Sequence, residues 1–183
     1  ISEEKQNFKT KICVTAQHRE MLDQILGLFE ITPDFDLNIM KEKQDLIGLS
    51  ANLLSSMKDV FESVSPDMVI VQGDTTTALS AAQVAYLSNI PIGHVEAGLR
   101  TYDLQAPFPE EFNRQVISKI ADWHFAPTLT SKKNLLSEGV QKDKIFVTGN
   151  TVIDALLSVK TKINKDQKLK NKLLKGLEAS CKD

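Results

Sequence analysis

Met68-Val69-Ile70-Val71-Gln72-Gly73-Asp74-Thr75 is the stretch whose reading decides the fold. Four apolar residues run without a polar interruption, as a strand buried on both faces of a parallel sheet does. Glycine and aspartate then turn the chain. An alanine-rich helix follows to about Leu87, then the turn Asn89-Ile90-Pro91 and a second short strand, Ile92-Gly93-His94-Val95. Strand, turn, helix, turn and strand make one βαβ unit.

The same alternation extends both ways. Downstream, a loop from Glu96 to Phe108 leads to a helix that Pro109 opens, a good first helical residue. Trp123-His124-Phe125-Ala126 reads as a strand, Thr130 to Gly139 as a helix with a glycine stop, and Ile145-Phe146-Val147 as the last clear strand. Gly149-Asn150-Thr151 opens another helix. Upstream, Lys11-Ile12-Cys13-Val14-Thr15 is short, apolar and β-branched. Met21, Leu22, Ile25, Leu26 and Phe29 recur at helical spacing, and Leu46, Leu49, Leu53, Met57, Val60 and Val64 form a second, longer helical stripe. Phe35, Leu37 and Ile39 alternate with polar residues as a half-exposed strand would. The fold class is α/β, a parallel sheet with helices on both faces.

The 183 residues, 42% hydrophobic and 25% charged, suit one α/β domain with a substantial core. A net charge of −2 gives no sign of a nucleic-acid groove or a membrane-binding surface, and no apolar run is long enough to span a bilayer. Cys13 and Cys181 show neither a pairing pattern nor metal spacing, which fits a reducing cytoplasm. Ile1 opens the chain and a lysine-rich stretch from Lys160 closes it, so the expectation is a fragment cut at both ends. Residues 1–157 read as a partial domain, and 158–183 as a lysine-rich helix or linker.

In open parallel sheets ligands bind beyond the carboxyl ends of the strands. Three carboxylates stand there: Asp74, Glu96 and Glu110. Taken alone, Asp74 reads better as a helix N-cap, and Glu110 and Glu111 could merely complement a helix dipole. Glu96 has no evident packing role, and the three together on successive strand ends favour a site. Such a set suits general acid–base work, in which packing pushes the pKa values of neighbouring carboxylates apart. That catalysis contributes roughly 10²–10⁴-fold. Arg100 and Arg114 could hold a phosphate, although a lone Arg is more often a surface ion pair. His18 and His94 are the remaining titratable candidates, and His94 joins Arg100 and Arg114 as a candidate for substrate contact; His124 reads as structural. No metal-ligand spacing, nucleophile setting, GxGxxG or Walker loop is present.

Five runs carry a resemblance: Thr15-Ala16-Gln17-His18-Arg19-Glu20-Met21-Leu22, Val71 to Ala78 (VQGDTTTA), Gly93 to Thr101 (GHVEAGLRT), Pro107 to Arg114 (PFPEEFNR) and Val147 to Asp154 (VTGNTVID). Together they resemble the bacterial non-hydrolysing UDP-N-acetylglucosamine 2-epimerases, from about Lys11 to Leu157. The resemblance implies a Rossmann-like domain forming one half of a GT-B arrangement, a cytoplasmic homodimer, and no metal or redox cofactor. It implies elimination of UDP from UDP-N-acetylglucosamine to give 2-acetamidoglucal, then re-addition to yield UDP-N-acetylmannosamine for cell-surface polysaccharide synthesis. On this sequence Asp74, Glu96 and Glu110 match the family's catalytic carboxylates. Gln17, His18, Lys43 and Gln44 match the region where some members bind a second, activating UDP-N-acetylglucosamine. Lys43 stands where some have Arg, which replaces a bidentate contact with a point charge.

Two departures from the family pattern stand out. Its first strand, with a glycine turn carrying Arg and Lys, is absent here, and so is the second domain with a catalytic His. The expectation is that this piece alone is inactive and prone to associate. Alternatives are a hydrolysing epimerase that releases UDP and N-acetylmannosamine, a non-catalytic nucleotide-sugar-binding domain, and a GT-B glycosyltransferase.

Overall fold

The computed structural model describes residues 4, 6–16, 19–39, 45–165, 167 and 171. Gln17, His18, Lys43 and Gln44, the expected second substrate site, lie outside the described residues. In chain order the elements are β1 (Cys13–Val14), α1 (Arg19–Phe29), β2 (Phe35–Asp36), α2 (Leu46–Val64), β3 (Val69–Gln72), α3 (Thr76–Leu87) and β4 (Ile92–Val95). They continue with α4 (Glu110–Ile120), β5 (Trp123–Ala126), α5 (Leu129–Ser137), a 3-10 turn at Lys142–Lys144, β6 (Ile145–Val147) and α6 (Thr151–Lys165).

Strands β3 to β6 pair side by side in chain order, all parallel, as successive βαβ units require. β1 and β2 form a separate parallel pair, with Cys13 opposite Phe35. The α/β class and parallel sheet expected from the sequence are what the chain forms.

The core lies between the sheet and α2, α3 and α4. Met57, Val71, Leu79, Ala82, Ala85, Ile92 and Ile117 are buried there. Helix α3 is buried on most sides, at Ala78, Leu79, Ser80, Ala81, Ala82, Val84 and Ala85. Its small side chains let it lie close to β3 while packing between two other helices, a position that bulkier residues would overfill. A smaller cluster of Ala97, Ala126, Leu135 and Ile145 holds α5 against the far edge of the sheet.

Local chemistry sets the ends of the helices. Asp45 accepts from the Gly48 N–H and caps α2 at its start, and Ser65, with φ 48°, closes it. Pro109, expected as the first residue of its helix, instead stands just outside α4, with its carbonyl accepting from the Asn113 N–H. The strand expected through Ile39 is regular only over Phe35–Asp36, because Asn38 adopts φ 42°. The Leu37 and Ile39 N–H groups still bond to the Val14 and Thr15 carbonyls, so the alternation remains visible past the strand.

By compactness the chain divides into Ile1–Gly149 and Asn150–Asp183. In the second unit the described structure is centred on α6, whose apolar Val152, Ile153, Leu156 and Leu157 are exposed. Among the described residues no helix is long and apolar enough to cross a membrane.

Candidate active site

The register of β3 against β4 pairs Gln72 with Val95, so the residues that follow, Gly73 and Glu96, leave the sheet side by side. Gly73 turns the chain at φ +72°, a left-handed conformation that glycine adopts without steric cost. A Cβ placed on it would lie 3.7 Å from Glu96 Oε2, so the Glu96 carboxylate rests directly against this turn. Glu96 itself has φ 69°, a strained conformation for a residue with a side chain. Such strain at a strand end is more common at functional sites than elsewhere.

Asp74 does not cap α3. The cap is Thr75, whose hydroxyl accepts from the Ala78 N–H. The Asp74 carboxylate is left to face α4, where Arg114 Nη2 lies 3.2 Å from Oδ2. Asn113, one residue earlier on α4, donates through Nδ2 to the Asp74 carbonyl at 2.8 Å. Two consecutive residues of α4 therefore hold the loop after β3, one by its backbone and one by its charge. Burial raises the Asp74 carboxyl above its ordinary value; Arg114 counters this, while Glu110 and Glu111 reinforce it.

Glu111 behaves differently from its neighbour Glu110. Its side chain is fully buried and accepts from the Thr101 N–H (3.1 Å), the Tyr102 N–H (3.0 Å) and Gln115 Nε2 (2.7 Å). Burial pushes its carboxyl up, but these hydrogen bonds and Arg114 outweigh it and hold the group below its usual range. Glu111 is thus an ionised anchor for the loop between β4 and α4. Glu110, in the first turn of α4, is only partly buried and close enough to Asp74 to act on its charge.

The structure brings Asp74, Glu96, Glu110 and Arg114 to one end of the sheet, while His94, beneath the same turn, and Arg100 are buried against other partners. His94 is completely buried, with Nε2 2.8 Å from the Gly73 carbonyl. Burial depresses its pKa to about 4, so at neutral pH the uncharged ring donates to Gly73 and supports the turn from beneath. The Arg100 side chain, also fully buried, forms a bidentate pair with Glu138 at 2.7 and 2.9 Å. It also bonds to Ser118 Oγ and the Leu99 carbonyl. A guanidinium committed in this way ties α4 to the end of α5 and does not present a phosphate clamp. Reasoning from sequence missed the parts played by Asn113, Glu111 and Glu138. The first two sat inside the run PFPEEFNR; Glu138 had no sequence signal, because its partner is 38 residues away. Among the described residues, no three His, Cys, Asp or Glu side chains come together as a metal-ligand set.

Carboxylates on adjacent strand ends, one with a raised pKa and an arginine beside it, form a site for moving protons on a polar ligand. Comparison with known proteins identifies the family. The family model for UDP-N-acetylglucosamine 2-epimerase matches residues 2–180. The chain belongs to the UDP-N-acetylglucosamine 2-epimerase family. It is 59% identical over 148 residues to the UDP-N-acetylglucosamine 2-epimerase of Neisseria meningitidis serogroup A, covering 81% of this chain and 40% of that protein. A crystal structure of the Neisseria meningitidis epimerase bound to UDP-GlcNAc superposes with TM-score 0.84 and 54% identity over 92% of this chain and 46% of that one. The Methanocaldococcus jannaschii epimerase, in complex with UDP-GlcNAc and UDP, superposes with the same TM-score at 37% identity. This member of the epimerase family therefore spans under half the length of the relatives it matches. Its Rossmann-like architecture, one half of a GT-B arrangement, agrees with these superpositions.

Proposed function

We propose that this chain supplies the carboxylate-bearing half of an enzyme that inverts C2 of UDP-N-acetylglucosamine without hydrolysing it. The observation that carries the reading is the grouping of Asp74, Glu96, Glu110 and Arg114 beyond the ends of β3 and β4. In this reading one carboxylate removes the C2 proton while the C1–O bond to UDP breaks on the opposite side, leaving 2-acetamidoglucal. UDP then re-adds at C1 as a second group returns a proton to the other face of C2. A carboxyl whose pKa is raised by burial, with further carboxylates beside it, supplies the proton-transfer groups that such a sequence needs. Arg114 keeps Asp74 oriented and offsets its charge.

Four further parts of the reading rest on the family resemblance. The enzyme works as a homodimer in the cytoplasm, its product feeds cell-surface polysaccharide synthesis, and Gln17, His18, Lys43 and Gln44 receive a second, activating substrate molecule. The isolated chain, lacking more than half the length of its relatives, does not turn over.

The test is a chimera in which this chain replaces the matching region of the Neisseria meningitidis relative, followed by proton NMR with UDP-N-acetylglucosamine in D₂O. Deuterium at C2 together with UDP-N-acetylmannosamine supports the proposal, and Asp74→Asn, Glu96→Gln and Glu110→Gln then each lower turnover by at least 100-fold, about the share assigned to general acid–base catalysis. Free N-acetylmannosamine with UDP would move the chain to the hydrolysing reading. Ligand binding without exchange would leave a binding domain.

A further inference from the structure

Arg100 and Arg114 use their guanidinium groups in opposite ways. Arg100 donates from Nε, Nη1 and Nη2 in four hydrogen bonds of 2.7–2.9 Å and is fixed. Arg114 stands between two carboxylates: Nη2 is 3.2 Å from Asp74 Oδ2, and Nε is 3.4 Å from Glu111 Oε2. Nε also donates to the Glu110 carbonyl at 3.4 Å. The Arg114 side chain is only 11% exposed, so water screens these contacts weakly.

Helix geometry produces this division. Glu111 and Arg114 are three residues apart on α4 and share one of its faces. The Glu111 carboxylate is fully buried and accepts from the Thr101 N–H, the Tyr102 N–H and Gln115 Nε2. It therefore meets the Nε edge of the guanidinium from a fixed point. A side-on pair between an arginine and a carboxylate uses Nε and one Nη together. With Nε turned to Glu111 and the Glu110 carbonyl, a single contact from Nη2 is left for Asp74. Two parallel bonds to Asp74 would lock that carboxylate in its ionised form. One contact leaves it able to take up and release a proton.

We propose that Glu111 is a positioning residue for the reaction: by holding the Nε edge of Arg114 it limits the arginine to one contact with Asp74 and keeps that carboxylate available for proton transfer. The inference rests on the proposed role of Asp74 as a proton-transfer group. Being fully enclosed, Glu111 acts through Arg114 and not on a ligand. The other titratable groups that face Asp74 are Glu110 on α4, Glu96 across the Gly73 turn, and the uncharged His94 beneath that turn. In Glu111→Gln the Nε edge is released, and Arg114 closes on Asp74 with two bonds. Loss of the nearby negative charge acts in the same direction, so Asp74 gives up its proton at lower pH.

Carboxyl-carbon NMR of the aspartates in the 183-residue chain reads this without turnover. In Glu111→Gln, which keeps the side-chain volume, Asp74 titrates about one pH unit lower than in the parent. Most of that drop passes through Arg114, so in an Arg114→Met background it shrinks to less than about half. The unsubstituted chain gives a measurement that no folding defect can spoil: the Arg114 Nε–H signal stays in place through the Asp74 titration, while the Nη2 signal moves. In the chimera with the Neisseria meningitidis relative, Glu111→Gln lowers kcat about tenfold and leaves KM within about twofold. The acid limb of its pH profile moves down with the Asp74 titration. An Asp74 titration that Glu111→Gln leaves unchanged or raises, an equal drop in Arg114→Met, or an Nε–H signal that follows Asp74 would each overturn the proposal. So would a lowered melting temperature with an unchanged pH profile, which marks a purely structural anchor. If Asp74→Asn abolishes turnover in the chimera and Glu111→Gln alters neither kcat nor its pH profile, this proposal alone falls. If Asp74→Asn keeps its kcat, the catalytic reading of Asp74 falls and takes this proposal with it.

Discussion

Arg114 Nη2 lies 3.2 Å from Asp74 Oδ2, and Asn113 Nδ2 lies 2.8 Å from the carbonyl of the same aspartate. The loop after β3 is therefore positioned by a helix that begins more than thirty residues later. Because Arg114 only partly offsets burial, the folded state holds a proton on Asp74 more readily than the unfolded chain does. That sign sets the first prediction. A raised carboxyl pKa costs stability as pH rises through the window between its unfolded and folded values, and costs nothing below that window. Asp74→Asn is expected to stabilise the chain by about 0.5–1 kcal/mol at pH 7, with the gain vanishing near pH 3. Urea denaturation at the two pH values measures this. A variant less stable than the parent at pH 7 would contradict it.

His94 titrates in the opposite sense. Its folded pKa is about 4, below the ordinary 6.5, so between these values the unfolded chain binds a proton that the folded chain refuses. Stability should fall as pH drops from 6.5 to 4 and no further below. At about 1.36 kcal/mol per pH unit the loss is about 3 kcal/mol at most. His94→Gln keeps a donor for the Gly73 carbonyl and should flatten the slope. Equal slopes for parent and variant would refute the assignment.

Gly98 and Gly139 share φ +87°, and differ in what surrounds them. A methyl group on Gly98 would press into the Ser131 carbonyl and come within 3.0 Å of Leu135 Cδ1, whereas one on Gly139 meets nothing within 4 Å. Gly139→Ala should cost about 1–2 kcal/mol from backbone strain alone. Gly98→Ala should cost about 3 kcal/mol or more, since rigid backbone must also move. Thermal denaturation of both variants gives the comparison, and equal losses would show that the contact with α5 is softer than its geometry implies.

Glu138→Gln tests the buried pair with Arg100. The Arg100 side chain is fully enclosed and cannot shed its charge, so removing the partner leaves an uncompensated cation. The expected loss is about 3 kcal/mol, far above the 0–1 kcal/mol of a surface pair. Chemical denaturation that shows less than about 1 kcal/mol would mean that water reaches Arg100 once the pair is broken.

The sequence by itself determined the order of the elements and their class. Uninterrupted apolar runs such as Met68-Val69-Ile70-Val71, short and bounded by turn residues, suit the strands of a parallel sheet, although here Met68 and Ile70 stay 36% and 45% exposed, and the turn residues between runs and helical stripes mark each βα junction. It also placed Asp74 and Glu96 side by side at one end of the fold, because consecutive strand ends in a parallel sheet are neighbours by topology alone; Glu110 reaches Asp74 from the first turn of α4. Only the tertiary structure decided what each polar side chain does there. Asp74 could have been a cap until Thr75 took that position. Arg100 and Arg114 look alike in sequence, yet one is enclosed against Glu138 and the other reaches Asp74. His94 was legible as titratable, but its support of Gly73 depends on a register between two strands. Local pattern specifies which backbone conformation each segment adopts. Partners distant in the chain set burial and hydrogen bonding, and those determine the chemistry of an ionisable group.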